Sequence, residues 1–174
     1  MSFTIYDASA PVYVAALTNM QRWMDKAIEE GKDEAQLVEA RLAADMRPFS
    51  SQIQMASDTA KGGAARLAGV DAPSMPDTET SFAELKARCQ RTIDFIQGID
   101  RSAFDGAEDR EVVMKFPNGG GYRFTGAAYL TGFALPNFFF HVTTAYAILR
   151  ANGVGVGKPD FLQHLGPQNL NAGA

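Results

Sequence analysis

The sequence predicts an all-α fold, a four-helix bundle with a small β-hairpin inserted before the last helix. Apolar residues recur at spacings of three and four along four long segments, which is the periodicity of amphipathic helices. A glycine-rich turn between two alternating segments predicts the hairpin. Each long segment ends at a glycine, a residue that often closes a helix in the left-handed conformation, and these glycines are Gly31, Gly69, Gly98 and Gly153.

The first predicted helix runs from Pro11 to Glu30. Ser9 is its predicted N-cap residue, and Pro11 would lie in the first turn, where its missing N–H costs nothing. A shorter apolar pattern over residues 37–42 follows this helix. The apolar stripe of the first helix consists of Tyr13, Ala16, Leu17, Met20, Trp23, Met24, Ala27 and Ile28.

The second predicted helix begins at Pro48 and ends at Gly69. Its packing face is built from small and apolar residues, namely Phe49, Ile53, Ala56, Ala60, Ala64 and Leu67. The connection over residues 70–80 contains two prolines and three acidic residues, which predicts a surface loop. Ser81 and Glu84 then form a predicted capping box at the start of the third helix.

The hairpin is predicted over residues 111–124, where apolar and polar residues alternate on either side of the turn. Thr125 is predicted to cap a short helix that Pro136 interrupts. The last long helix then runs from about Asn137 to Ala151.

Composition restricts the classes of function. The 174 residues, of which 46% are apolar and 21% charged, are expected to form one domain over residues 1–161 and an extended or disordered C-terminal tail over residues 162–174. A net charge of −4 argues against nucleic-acid binding, because no excess of cations neutralises phosphates. Cys89 has no disulfide partner, and with His141 and His164 it cannot build a structural zinc site.

The segment from Gly126 to Leu149 contains no charged side chain and is long enough to span a bilayer. However, Pro136 lies in its middle, and His141 would be placed in hydrocarbon. A buried helix is therefore favoured over a membrane span. Residues 1–10 lack the basic start and apolar core of a signal peptide, so a cytoplasmic location is expected.

Asn137 and His141 are the most suggestive pair of polar residues. They lie four residues apart, so on a helix they share one face, and two metal ligands can have this spacing. A simpler interpretation makes Asn137 the cap that follows Pro136 and His141 a buried imidazole hydrogen-bonded to a neighbour.

Four polar residues interrupt the second helix, namely Gln52, Asp58, Thr59 and Lys61. At 100° per residue, Gln52 and Thr59 flank the apolar stripe, whereas Asp58 points nearly away from it. Thr59 is therefore better placed than Asp58 to face the bundle. The simpler interpretation of Thr59 is a hydroxyl that bonds back to the preceding turn.

Phe138, Phe139 and Phe140 are consecutive and cannot all face one core. We expect a homodimer that shares either this helix, as far as Tyr146, or the first helix around Trp23. Alternatively, the helix is central, the hairpin or tail covers it, or its aromatic residues form a ligand site. The candidate binding residues for a small molecule are Asp58, Gln52, Phe138 and Tyr146.

Several stretches resemble an uncharacterised, domain-of-unknown-function branch of the DinB/YfiT-like superfamily of metalloenzyme-like proteins. The resemblance covers nearly the whole chain to about Phe161 and implies a four-helix bundle, often a homodimer. The stretches are residues 6–9 with Pro11, residues 52–69, residues 77–82, and residues 135–153 with the sequence LPNFFFHVTTAYAILRANG.

The resemblance also implies a position for a metal. In the superfamily, nickel or zinc is typically held by one histidine of the second helix and an H-x-x-x-H pair of the last helix. Here the pair is Asn137 and His141, and Thr59 is the candidate for the second-helix position. The implied ligands are thus His141, Asn137 and Thr59, which would bind a divalent metal weakly.

Two functions follow as hypotheses. One is a degenerate metal-dependent enzyme with its site at the mouth of the bundle around His141, doing metal-assisted or general-base chemistry. The alternative is a non-enzymatic protein that has lost its metal and binds a small molecule or acts as a dimeric interaction protein. Elemental analysis would separate the two.

Overall fold

The computed structural model describes residues 3–116 and 118–166, and these form a bundle of four long helices with a small hairpin. The predicted fold class is confirmed. The elements are α1 (Ile5–Glu29), α2 (Glu34–Glu39), α3 (Phe49–Ala68), α4 (Phe82–Gln97), β1 (Glu111–Lys115), β2 (Gly121–Thr125), α5 (Gly126–Tyr129), a π-helical turn (Leu130–Ala134), α6 (Leu135–Ala151) and α7 (Lys158–Phe161).

The long helices of the bundle are α1, α3, α4 and α6. A short 3-10 turn at Arg101–Phe104 precedes the hairpin, and another at Gln163–Leu165 follows α7. Part of the predicted tail, residues 167–174, lies outside the described residues. No helix in the described ranges is both long and apolar enough to cross a membrane.

The start of α1 differs from the prediction. Thr4 and Asp7 form a capping box, in which the Thr4 hydroxyl accepts from the Asp7 N–H at 3.3 Å and the Asp7 carboxylate accepts from the Thr4 N–H at 3.1 Å. The helix therefore begins at Ile5, and Pro11 lies within it. The predicted cap role of Ser9 was wrong, because its buried hydroxyl donates to the Ile5 carbonyl at 2.6 Å.

The long helices end at or next to the four predicted glycines. Gly31, Gly69 and Gly153 have φ values of 66°, 71° and 77°. Gly98 also ends α4 but has φ −76°, so this helix closes without a left-handed residue. At the start of α4, the Ser81 hydroxyl caps the Glu84 N–H as predicted, but the Glu84 carboxylate accepts from Thr80, which leaves the predicted box half formed.

The hairpin is confirmed, with Val112 opposite Phe124 and Met114 opposite Tyr122. Thr125 caps α5 as predicted, its hydroxyl accepting from the Ala128 N–H at 3.4 Å.

The predicted break at Pro136 was wrong. The helical backbone continues from α5 through the π-helical turn into α6, which begins at Leu135. A π-helical turn pairs each N–H with a carbonyl five residues back, and this turn ends just before Pro136, which has no N–H for the usual pattern. Consequently Asn137 lies inside a helix, and its predicted role as a cap was also wrong.

The core explains how one chain accommodates consecutive phenylalanines. Phe138 is fully buried and packs edge-to-face on Tyr13 at 4.9 Å, Phe139 is half-buried, and Phe140 is 56% exposed. Trp23 is buried beneath Phe161, with ring centroids 5.5 Å apart. The segment that follows α6 thus covers the α1 face around Trp23.

Candidate functional site

Helices α3 and α6 pack side by side and bring four of the predicted site residues together. The His141 Nδ1 lies 2.9 Å from the Gln52 Oε1. About one turn away from this pair along α6, and two turns away along α3, the Asn137 amide nitrogen donates to the Thr59 hydroxyl at 2.8 Å. Because residue numbers rise along α3 as they fall along α6, the two helices are antiparallel.

A third pair of polar side chains lies along the same face of α3. The guanidinium of Arg66 donates to the Tyr129 hydroxyl at 3.2 Å and lies 5.9 Å from the ring centre. Neither residue was among the predicted site residues. The available signal was spacing, because the three residues on α3 lie seven apart and so share one face. We call the six residues the polar seam: Gln52, Thr59 and Arg66 with His141, Asn137 and Tyr129.

The surroundings of His141 determine its protonation. The Gln52 amide nitrogen donates to the Arg47 carbonyl at 3.0 Å, which turns the Gln52 oxygen toward the imidazole. The His141 Nδ1 must then carry the proton and donate it, by assignment from the hydrogen-bond pattern. The residue is 8% exposed, and burial lowers its pKa below the ordinary value of 6.5. His141 is therefore neutral at neutral pH, with the lone pair on Nε2.

Thr59 and Asn137 use their hydrogen-bonding groups on each other. The Thr59 hydroxyl donates its proton to the Met55 carbonyl at 2.7 Å, as the simpler interpretation held, and accepts from Asn137. A neutral hydroxyl and a neutral amide are poor ligands for nickel or zinc. Over the described part of the chain, no three His, Cys, Asp or Glu side chains come together as a metal site. The residues present do not fit a tightly held divalent cation.

The structure places the other candidate binding residues away from the polar seam. Asp58 pairs with Arg88 of α4 at 2.8 Å and with Lys61 of its own helix at 3.0 Å. Phe138 belongs to the core. Tyr146 packs on Trp23, at 5.7 Å between ring centroids, and its hydroxyl is 3.5 Å from the Val156 carbonyl.

A buried arginine forms a second polar cluster. Arg88 on α4 is fully buried; it contacts both oxygens of Glu79, at 3.1 and 3.2 Å, and pairs with Asp77 at 2.9 Å and Asp58 at 2.8 Å. Its guanidinium also donates to the Pro76 carbonyl at 3.0 Å. We call this cluster the Arg88 clamp. It fastens the connection before α4 to the bundle.

Sequence reasoning overlooked the Arg88 clamp, although two signals were available. Arg88 lies three residues after Leu85, on the apolar stripe of α4, and acidic residues are concentrated in the preceding connection. Burial alone would raise the pKa of Glu79. Hydrogen bonds, including one from Gln54, and the charge of Arg88 outweigh burial and hold that pKa below its usual range. Glu79 is therefore a buried carboxylate that requires its cationic partner.

The fold resembles that of a known class of helical bundle. The crystal structure of a DinB family member protein from Shewanella denitrificans matches this chain with a TM-score of 0.85 and 36% sequence identity, and the match covers 95% of each chain. The protein is thus a DinB-like bundle, as its sequence suggested. The family model described as domain of unknown function DUF1993 matches residues 5–162. The chain belongs to this family. Among curated proteins, none matches it significantly.

Proposed function

We propose that this protein is a DinB-like bundle that works without a resident metal and serves as a small-molecule binding protein. One observation supports the proposal above all. The side chains at the expected metal position hydrogen-bond to one another, as Gln52 does with His141 and Thr59 with Asn137. Ligands of a working metal site present lone pairs to a shared open position. Among these four side chains the imidazole of His141 is the only strong ligand for nickel or zinc, and the others are neutral oxygens.

The polar seam has the chemistry of a neutral acceptor. Gln52 holds the imidazole of His141 in one tautomer, so Nε2 can accept a hydrogen bond from a hydroxyl or an amide N–H. Burial disfavours the charged imidazolium, which makes an anion a poor partner.

The competing function is metal-assisted or general-base chemistry at the mouth of the bundle around His141. One observation favours it. Histidines that bind metals usually donate their other ring N–H to a neighbouring acceptor, as His141 does to Gln52.

Measuring the metal content distinguishes the metal-free binding protein from the metal-dependent enzyme. We expect protein purified without chelators or an affinity tag to contain far less than one equivalent of nickel or zinc, because a single imidazole with neutral oxygens binds divalent metals weakly. Elemental analysis of the wild type, His141→Ala and the matched control His164→Ala measures this. Stoichiometric metal that disappears in His141→Ala and persists in His164→Ala would establish the enzyme function instead.

We also propose that the protein is a homodimer, formed through the outer face of α6. Phe140 is exposed there beside the half-buried Phe139. In sedimentation equilibrium at low micromolar concentration, we expect a dimer that Phe140→Ser shifts toward monomer. The control Tyr122→Ser removes a similar aromatic side chain, 55% exposed against 56% for Phe140, and should leave the dimer intact. A wild-type mass of 18.8 kDa would contradict the proposal.

A further inference from the structure

Three interactions fasten the segment after α6 onto α1. The Trp23 indole N–H donates to the Asp160 carbonyl at 3.1 Å, the Asn19 amide nitrogen donates to the Phe161 carbonyl at 2.9 Å, and Lys26 pairs with the Asp160 carboxylate at 3.0 Å. We call residues 158–165 the C-terminal strap. Neither α7 nor the 3-10 turn after it contains a fully buried residue, but Phe161 packs against the core over Trp23.

A groove of about 240 Å³ remains between the strap, α1 and α6. Its walls are apolar and include Phe139 of α6 and Phe161 of the strap. Among the described residues, Asn19 and His164 are the polar ones that line it, and no Asp, Glu, Lys or Arg of residues 3–116 and 118–166 does so. The volume suits a molecule with a single ring, since sites for larger, drug-sized ligands begin at about 300 Å³.

Asn19 has an unmet hydrogen-bonding requirement. The residue is 1% exposed, and its amide nitrogen is shared between the Phe161 carbonyl and the His164 Nδ1, which lies at 3.1 Å. Its Oδ1 is buried and has no hydrogen-bond partner among the described residues. Across the part of the chain that the structure describes, two other buried side-chain atoms have no hydrogen-bond partner. They belong to Tyr13 and Arg88, neither of which lines the groove. Buried acceptors of this kind are uncommon and call for an explanation.

His164 complements Asn19. Because the Asn19 nitrogen donates to it, the His164 Nδ1 is an acceptor, and in the neutral ring Nε2 carries the proton. The polar residues of the groove thus offer one acceptor, the Asn19 Oδ1, and one donor, the His164 Nε2–H.

We propose that this groove binds a small neutral molecule that has one apolar ring and a head group that both donates and accepts, as a primary carboxamide does. The ring lies between Phe139 and Phe161, the head group donates to Asn19, and His164 donates to the head group. The inference extends the proposed binding function to a groove separate from the polar seam and names its ligand class, and it does not depend on the metal content at His141.

Benzamide is the probe. We expect isothermal titration calorimetry to show saturable binding of one benzamide per chain, with a dissociation constant on the order of 1 mM or tighter for so small a ligand. Benzoate and benzylamine carry charges that the groove does not pair and should bind at least about tenfold more weakly. Emission from Trp23, the single tryptophan, should change on binding, because its indole contacts the strap.

Variants decide whether the groove is the site. Ala15→Phe fills the groove from α1, one turn before Asn19, and should abolish benzamide binding. Thr18→Phe, half-buried on the same helix but outside the groove, is the matched control and should bind normally. His164→Ala removes the donor and should weaken binding about tenfold. Circular dichroism confirms that each variant is folded.

Two results would show that the groove is not a binding site for benzamide. One is the absence of saturable benzamide binding to the wild type at millimolar concentration. The other is binding of benzamide that Ala15→Phe leaves unchanged. Benzoate binding as tight as that of benzamide would refute the neutral ligand class. A failure of the proposed metal-free function would be detected by a different measurement. Elemental analysis would then find stoichiometric metal in the wild type and none in His141→Ala.

Discussion

Replacing Arg88 with methionine should destabilise the protein by about 3–5 kcal/mol, because removing one partner of a buried ion pair leaves the other charge unpaired. The charge left behind is Glu79, whose side chain is 6% exposed. Asp58 and Asp77 are far more exposed and can be hydrated when the guanidinium is lost. Urea unfolding monitored by circular dichroism measures the change in free energy of unfolding.

Arg91→Met is the matched control for this substitution. Arg91 also pairs with Glu79, at 3.4 Å, but its side chain is 54% exposed. Exposed pairs of this kind contribute about 0–1 kcal/mol. Equal losses of stability in Arg88→Met and Arg91→Met would show that the Arg88 clamp does not act as a buried ion pair.

The Arg88 clamp also predicts how stability depends on pH. The folded state holds the pKa of Glu79 below its ordinary value of 4.5, so its ionised form stabilises the fold. This contribution is fully present above the unfolded pKa and is lost as the pH falls through the lower folded value. Urea unfolding between about pH 6 and pH 3 should therefore show a steeper loss for the wild type than for Glu79→Gln. Parallel curves would contradict this assignment.

Gly126→Ala should destabilise the protein by about 2–3 kcal/mol or more, the upper end of what overpacking usually costs. A Cβ at Gly126 would lie 1.8 Å from the Ala107 carbonyl oxygen and 2.9 Å from its carbon. Both are backbone atoms, and the adjacent Ala127 N–H donates to the Glu108 carbonyl at 2.9 Å, so the two segments cannot separate without losing that bond. We expect a melting temperature lower by about 4–12 °C.

Gly132→Ala is the control for the glycine substitution. Gly132 lies in the π-helical turn that follows α5, and a Cβ there would meet nothing within 4 Å. Alanine is the better helix former by about 1 kcal/mol, so this variant should be as stable as the wild type or slightly more so. A comparable loss of stability in Gly126→Ala and Gly132→Ala would exclude the steric explanation.

Local patterns in the sequence were sufficient to predict the helices, the hairpin and most of the helix ends. The stripe of Tyr13, Leu17 and Met20 on α1 is a property of consecutive residues, as is the cap formed by Ser81. The predicted fold class depended on such short-range periodicity. The errors at Ser9 and Pro136 arose where two local signals competed, because Thr4 also offered a cap and a π-helical turn accommodated the proline.

The sequence by itself also identified Gln52, Thr59, Asn137 and His141, because helical spacing tells which residues share a face of one helix. Only the tertiary structure decided which faces meet. The pairing of Gln52 with His141 spans 89 positions, and the contact between Asn19 and His164 spans 145. Such contacts depend on how separate helices pack, and no local periodicity encodes them. For the same reason the Arg88 clamp and the groove under the C-terminal strap emerged only in three dimensions.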